Sequence, residues 1–259
     1  MKRFIAATAL AASLLAAGVS HAATILVTGA NRGLGFEFAK QYAEQGWTVI
    51  ATARRPERAD KLNELASRHK NVIVEKLDVL DFDQIDALAS KYAGASIDVL
   101  INNAGVLGDL NSQTLGMFDY REFQQVMGVN VYGVLAVSEA FRENVIASDQ
   151  KKIVGITSGA GIISRGGGGG QLHFYRASKV ALNMALKGLA SDLRDRGVIV
   201  GIIAPGAADT DMRRALVGDR ADLDQDPADS VAGMMKVIAN LTQANSAQPY
   251  NYDGQVMPW

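Results

Sequence analysis

The sequence predicts an α/β protein: a doubly wound parallel sheet with helices on both faces, forming a single domain. Three observations predict this fold. Short apolar runs alternate with longer helical patterns, each run is apolar nearly throughout, and a glycine-rich turn follows the first run. Strands covered on both faces lack the apolar–polar alternation of half-exposed strands. One helical pattern between successive strands indicates right-handed crossovers, and hence a parallel sheet.

The predicted elements follow one another from Thr24 without a repeat or a linker, so residues 23–259 form one predicted domain. The predicted strands are Ile25–Thr28, Thr48–Ala53, Val72–Leu77, Val99–Ile101, Lys152–Thr157 and Val198–Ile203. The predicted helices are Leu34–Gln45, Arg58–Arg68, Phe82–Lys91, Asp119–Ala147 and Phe174–Arg196.

Residues 1–22 predict a signal peptide. Lys2 and Arg3 form a positive start, Phe4–Val19 is apolar and uncharged, and Ser20–Ala22 offers the small residues of a cleavage site. The apolar stretch is shorter than the roughly 20 residues that span a bilayer, so no stable membrane span is expected. A buried first helix is the alternative, but the apolar residues cover every face instead of one stripe. We expect a periplasmic or secreted protein, with a cytoplasmic one as the alternative.

Composition excludes several classes of site. The 259 residues include no cysteine, which rules out disulfides, thiolate metal sites and cysteine nucleophiles. Three histidines make a histidine-rich metal site improbable, so we expect no metal. The 26 basic and 27 acidic residues are balanced, which argues against a nucleic-acid partner.

The turn after the first predicted strand reads TGANRGLG, from Thr28 to Gly35. Glycines at such a place permit a tight turn and close backbone approach, and the following helix N-terminus suits a pyrophosphate. A purely structural turn is the alternative. The turn's position between the first strand and the first helix favours the binding interpretation.

Further motifs follow the later strands, at the edge where open α/β sheets bind their ligands. They are Asn102-Asn103-Ala104-Gly105, Asn130, Ser158, the pair Tyr175 and Lys179, and Pro205-Gly206 with Thr210. Each motif alone is common. All of them in this order, each at the carboxyl end of a predicted strand or the start of the next helix, indicate a binding site.

These motifs resemble the short-chain dehydrogenases/reductases of the single-domain type, over residues 24–259. TGANRGLG, GWTVIATAR, INNAG and YDGQVMPW are most similar to the branch of C-factor and sniffer-like carbonyl reductases. The resemblance implies a Rossmann-type doubly wound sheet that binds a nicotinamide dinucleotide. It also implies site roles. The residues implied to bind the cofactor are Gly29, Asn31, Arg32, Gly33, Leu34, Gly35, Arg54, Asp78, Val79, Asn102, Ala104, Gly105, Tyr175, Lys179, Pro205, Gly206 and Thr210.

The resemblance implies a catalytic tetrad of Asn130, Ser158, Tyr175 and Lys179. Tyr175 and Lys179 are four residues apart and share one helix face. A phenol has a pKa near 10, and we expect the neighbouring ammonium and the positive oxidised nicotinamide to lower it. Tyr175 then passes a proton to or from the reacting oxygen, which Ser158 also contacts. The resemblance also implies that Lys179 holds the ribose of the cofactor and that Asn130 anchors a water molecule of the proton relay.

The second predicted strand ends at Ala53, where an acidic residue would accept hydrogen bonds from the ribose of NAD. Arg54 follows, and Arg32 lies in the glycine turn. Because a guanidinium binds phosphate with two parallel hydrogen bonds, we expect NADP(H) in preference to NAD(H).

The expected function is an NADP(H)-dependent oxidoreductase that interconverts a carbonyl and a secondary alcohol on a small-molecule substrate. The alternative is a catalytically silent NADP-binding regulator on the same fold. We further expect a mobile loop over the substrate at Gly166–Gly170, with a slack surface turn as the alternative. The two long predicted helices could form a dimer face, which would give a homo-oligomer, and the sequence leaves the oligomeric state open.

Overall fold

The computed structural model describes residues 22–165 and 171–259. The predicted signal peptide, apart from Ala22, and the glycine run Gly166–Gly170 lie outside the described residues. In the part that is described, no helix is both long and apolar enough to cross a membrane.

A parallel sheet forms the centre of the molecule. Within the described ranges it has seven strands in the order β3-β2-β1-β4-β5-β6-β7, and all neighbours are parallel. The strand order reverses between β1 and β4, which opens a crevice at their carboxyl ends. The strands are β1 Thr24–Val27, β2 Thr48–Ala53, β3 Val72–Lys76, β4 Val99–Asn102, β5 Lys152–Ile156, β6 Ile199–Ala204 and β7 Pro249–Asn251.

Helices cover both faces of this sheet. Side chains alternate between the faces along each strand, so Ile25 and Val27 of β1 pack on one face and Leu26 on the other. Helices α1, α2 and α9 pack on the first face, and α3, α5, α6 and α7 on the second. The helices described are α1 Gly33–Glu44, α2 Asp60–Arg68, α3 Phe82–Lys91, α4 Tyr120–Met127, α5 Gly133–Ala140, α6 Arg142–Ile146, α7 His173–Asp192, α8 Asp211–Val217 and α9 Pro227–Ala239.

The helix predicted over Asp119–Ala147 is wrong as a single element. It is divided into α4, a π-helical turn at Gly128–Tyr132, α5 and α6. Gly133 begins α5 in close contact with the segment after β3, because a Cβ there would lie 2.9 Å from Val79. One of the two helices proposed for a dimer face is therefore interrupted, and the homo-oligomer stays a prediction.

The C-terminal elements β7, α8 and α9 were not predicted. Strand β7 is an edge strand that begins at Pro249, a residue that sheets accept at their edges. Helix α9 has Asp226 as its N-cap and Pro227 at its first position, which is a recognisable start signal. The last predicted helix also ends earlier, at Asp192, and a separate 3₁₀ turn follows over Arg194–Arg196.

Candidate active site

The glycine turn between β1 and α1 is shaped by its backbone. Gly29 and Gly33 have φ angles of +66° and +56°, which L side chains rarely adopt. A Cβ on Gly35 would overlap the carbonyl oxygen of Gly29 and lie 2.5 Å from Nδ2 of Asn103. No side chain caps α1, whose N-cap is Arg32, and no acidic residue stands in its first turn. The turn and the helix N-terminus thus form an anion cradle that only glycines leave open, and this fits a dinucleotide pyrophosphate.

The loop after β4 holds the glycine turn in place. Asn103 Nδ2 donates to the carbonyl oxygens of Thr28 and Gly29, at 3.0 and 3.1 Å. In return, Thr28 Oγ1 accepts from the backbone N–H groups of Asn103 and Ala104, both at 3.0 Å. Sequence reasoning selected Asn102 here and passed over Thr28 and Asn103.

Asn102 itself faces away from the turn. Its side chain is buried and its Nδ2 donates to Ser138 Oγ of α5 at 3.0 Å. Asn102 therefore joins β4 to a neighbouring helix, and the side chain that reaches the glycine turn belongs to the next residue. The predicted ribose-side residues Ala104 and Gly105 follow directly in the same loop.

The segment predicted to bind the adenine follows β3. Asp78 Oδ1 accepts the N–H of Leu80 at 3.1 Å, and the N–H of Asp78 donates to Gln84 Oε1 at 3.0 Å. Val79 is buried against Gly133. The short turn thus holds a half-buried carboxylate beside an apolar wall.

The two arginines predicted to bind the cofactor's phosphate differ in their surroundings. The N–H of Ala30 donates to Thr52 O at 2.8 Å, which places the glycine turn beside the end of β2. Arg54 follows that end, is exposed and has no partner among the described residues. Arg32 Nη1 instead lies 2.9 Å from Asp211 Oδ2, the first residue of α8. Arg54 is therefore an exposed cation without a partner in the described part of the chain, at the position that directly follows β2.

The segment after β6 lies opposite the glycine turn. Thr210 Oγ1 caps α8 by accepting from the N–H of Arg213 at 3.3 Å, and its Cγ2 lies 3.7 Å from where a Gly33 Cβ would stand. Pro205 O accepts from Gln225 and Ser230 at 2.6 and 2.7 Å.

The close packing beside Pro205 requires a glycine. Gly206 has a φ of +71° and leaves no room for a Cβ beside the Tyr252 ring. A cavity of about 240 Å³ opens between this segment and α1, and Arg32, Gly33, Thr210 and Asp211 are among its lining residues.

Tyr175 and Lys179 lie on the buried face of α7. They are 9% and 6% exposed. Lys179 Nζ lies 5.7 Å from the centre of the Tyr175 ring and donates to the carbonyl oxygen of Ile156 at 2.9 Å. The structure thus brings the predicted phenol and ammonium together at the carboxyl end of β5.

Burial controls the proton affinity of both groups. Desolvation raises the pKa of Tyr175 above its usual value, and a side-chain hydrogen bond with Ser158 partly opposes that rise. Desolvation also lowers the pKa of Lys179 from 10.5 to about 8. In the protein without cofactor the pKa of Tyr175 is therefore raised, because desolvation outweighs the hydrogen bond with Ser158. The lowering expected from the ammonium and the oxidised nicotinamide together stays a prediction.

Asn130 has a structural position in the π-helical turn. Its buried Nδ2 donates to Val106 O at 2.9 Å and to Ser178 Oγ at 3.0 Å, and its Oδ1 accepts the N–H of Val106 at 2.8 Å. Both amide hydrogens are used, so the side chain keeps no donor for the predicted water. π-helical turns recur at functional sites, and this one fixes the loop after β4.

Comparison with known proteins agrees with this arrangement. The family model described as short chain dehydrogenase matches residues 23–221. C-signal of Myxococcus xanthus is 36% identical over 174 residues, which cover 67% of this chain and 99% of that protein. The structure of NADPH-bound carbonyl reductase from chicken fatty liver superposes with a TM-score of 0.83 at 32% identity, over 92% of this chain and 100% of the other. Carbonyl reductase Sniffer of D. melanogaster superposes with a TM-score of 0.81 at 27% identity, over 92% of this chain and 100% of the other.

The chain therefore belongs to the short chain dehydrogenase family, whose members are NAD(P)-dependent oxidoreductases. The predicted fold and the predicted similarity to the carbonyl reductase branch are confirmed.

Proposed function

We propose that this protein is an NADPH-dependent reductase of small carbonyl compounds. The observation that carries the proposal is the buried pair Tyr175 and Lys179, with the Ser158 side chain at the Tyr175 hydroxyl. A protein that only sensed the cofactor would not require a buried proton donor next to a buried amine. The similarity to NADPH-bound carbonyl reductase supports the same assignment.

NADPH, when bound, supplies the hydride. Tyr175 donates its proton to the carbonyl oxygen of the substrate, and Ser158 hydrogen-bonds the same oxygen. Lys179 has three donors, of which one is used on Ile156 O. The remaining two suit the hydroxyl groups of a ribose. Lys179 would thus hold the cofactor beside the phenol.

The raised pKa of Tyr175 fits the role of a general acid. A general acid must carry its proton when the reaction begins, and burial keeps Tyr175 protonated at neutral pH.

The glycine turn, Asp78 and the Thr210 segment all follow the carboxyl ends of strands, which is where a dinucleotide binds in sheets of this kind. Ala53 places no carboxylate where the ribose phosphate of NADPH would lie, and Arg54 is free to bind it. These features support NADP(H) over NAD(H).

Arg54→Asp is expected to raise the KM for NADPH about ten- to hundredfold, because a charge-assisted bond to the phosphate becomes a repulsion. The KM for NADH should change little or fall. Steady-state kinetics with both cofactors measures this. Arg194→Asp is the control, because it makes the same charge change in the 3₁₀ turn that precedes β6, away from the carboxyl ends of the strands. If the unmutated enzyme uses NADH as efficiently as NADPH, the preference is wrongly assigned.

A panel of aldehydes and ketones, followed by loss of NADPH absorbance, tests the proposed activity on protein that starts after residue 22. We expect turnover of at least one class of carbonyl compound. Tight NADPH binding with no oxidation across the panel would favour the NADP-binding regulator instead.

We also propose that the protein is exported, on the support of the residue pattern in 1–22 alone. Fractionation of the producing cells should find a shortened chain outside the cytoplasm. Full-length protein confined to the cytoplasm would refute the proposal.

A further inference from the structure

Gln113 is a completely buried polar residue that no motif marked. It lies in the loop between β4 and α4, within a short 3₁₀ turn over Asn111–Gln113. Its Oε1 accepts the backbone N–H of Tyr175 at 3.0 Å, and its Nε2 donates to Leu107 O at 2.9 Å. A buried amide side chain with both ends engaged in this way ties two segments together.

The contact to Tyr175 takes the place of a helix cap. Helix α7 begins at His173, and its N-cap residue Leu172 makes no side-chain hydrogen bond. Tyr175 is the third residue of the helix, where a capping side chain ordinarily accepts an N–H. Gln113 supplies that acceptor from 62 residues earlier in the sequence.

The other backbone group of Tyr175 is held as well. Ser178 Oγ donates to Tyr175 O at 2.7 Å and accepts from Asn130 Nδ2. Asn130 in turn holds both polar backbone groups of Val106, the neighbour of Leu107. The bonds form a closed ring from the N–H of Tyr175, through the loop after β4, to its carbonyl oxygen.

Aromatic packing joins the same loop to the start of α7. Phe118 lies 5.3 Å from the rings of both His173 and Phe174, measured between centroids. Phe123 of α4 packs edge-on against Phe174 at the same separation. The loop therefore meets the first turn of α7 at two places, one polar and one apolar.

We propose that Gln113 is a positioning residue, which fixes the first turn of α7 so that the Tyr175 hydroxyl meets Ser158 and the substrate oxygen. The inference rests on the proposed reductase function. Gln113 lies outside the catalytic tetrad, and its loss should slow the chemical step.

Gln113→Met tests this, because methionine fills a similar volume but neither accepts nor donates like an amide. We expect kcat to fall about 10²-fold, since a small displacement of a reacting group has an effect of that order. The Kd for NADPH should stay unchanged, because the glycine turn is held by Asn103 and Thr28. The solvent isotope effect on kcat should rise, because transfer of the proton from a displaced phenol becomes slower.

Asn144→Leu is the matched control. Asn144 is a buried amide too, and its Nδ2 donates to Tyr92 O and Ala95 O at 2.7 and 2.8 Å. Asn144 thus holds the loop between α3 and β4, which lies at the amino ends of the strands. We expect both variants to lower the free energy of unfolding, because each removes the hydrogen bonds of a buried amide. Only Asn144→Leu should retain the kcat and the solvent isotope effect of the unmutated enzyme.

Hydrogen–deuterium exchange at the Tyr175 amide supplies a readout that needs no turnover. We expect Gln113→Met to accelerate exchange there. Unchanged exchange, or faster exchange with kcat and isotope effect as in the control, would overturn the proposal. A wild-type protein that reduces no carbonyl compound would refute the reductase function instead, while the exchange still shows whether Gln113 holds α7.

Discussion

Tyr175→Phe is expected to lower kcat for carbonyl reduction by about 10²–10⁴-fold, the usual effect of removing a general acid. Phenylalanine keeps the ring, and therefore the packing of α7, but has no proton to give. The Kd for NADPH should stay close to that of the unmutated enzyme, because the cradle lies in the glycine turn. Steady-state kinetics and a cofactor titration separate the two effects.

Tyr42→Phe is the control for this change. Tyr42 is also buried, with a pKa that desolvation raises, but it packs against Trp47 at the C-terminal part of α1. Its phenylalanine variant should retain full turnover. Wild-type kcat in Tyr175→Phe would refute the assigned proton donor.

Lys179→Met is expected to weaken catalysis and to stabilise the cofactor-free fold. Loss of charge-assisted bonds to the cofactor should reduce kcat/KM about ten- to hundredfold. A lysine whose pKa falls from 10.5 to about 8 disfavours the folded state by about 3 kcal/mol while it is protonated. The variant also leaves Ile156 O without its donor, which destabilises the folded state by about 1 kcal/mol. The free energy of unfolding should therefore rise by about 2 kcal/mol at neutral pH.

The pH dependence of that stabilisation follows from the lowered pKa of Lys179. Below about pH 8 the amine is charged in both states, and the penalty for burying it is complete. Between about 8 and 10.5 only the unfolded chain binds the proton, so the penalty falls as pH rises. Denaturant unfolding at several pH values should show the advantage of Lys179→Met shrinking above about pH 8 and reversing before pH 10.5, where only the lost hydrogen bond remains.

Lys152→Met separates this effect from lysine burial in general. Lys152 is also 6% exposed and desolvation lowers its pKa, but its amine is less enclosed than that of Lys179. Its Nζ donates to Ile238 O and Ala239 O at the C-terminal end of α9. It offsets the negative end of the helix dipole there. Its variant should gain less stability than Lys179→Met and keep its turnover. A Lys179→Met variant that is less stable than the unmutated protein at neutral pH would contradict the assigned burial cost.

The strands from β1 to β6 could be predicted because each is an apolar run between turn signals. Strand β7 could not, because three residues that begin with Pro249 give no such pattern. The interrupted helix after residue 119 was hidden for a related reason. Its apolar spacing continues through Gly128–Tyr132, where a π-helical turn adds one residue without breaking the sequence pattern.

The candidate site was predictable where a sequence motif marks its residues, and it was not predictable where packing alone brings them together. Tyr175, Lys179 and Ser158 are recognisable by order and spacing. Gln113 is marked by no spacing, since its partners lie six and 62 residues away and only the folded chain brings them together. The raised pKa of Tyr175 was equally hidden, because burial is a property of the fold.

Transfer of deuterium to the substrate from NADPH that carries deuterium at both C4 positions of the nicotinamide tests the proposed function most directly. The measurement needs one carbonyl compound that the enzyme consumes, and mass spectrometry of the alcohol formed. We expect one deuterium on the former carbonyl carbon with the wild-type enzyme, and almost none in the same time with Tyr175→Phe. An alcohol without deuterium, or equal labelling by both proteins, would contradict hydride transfer with Tyr175 as the proton donor.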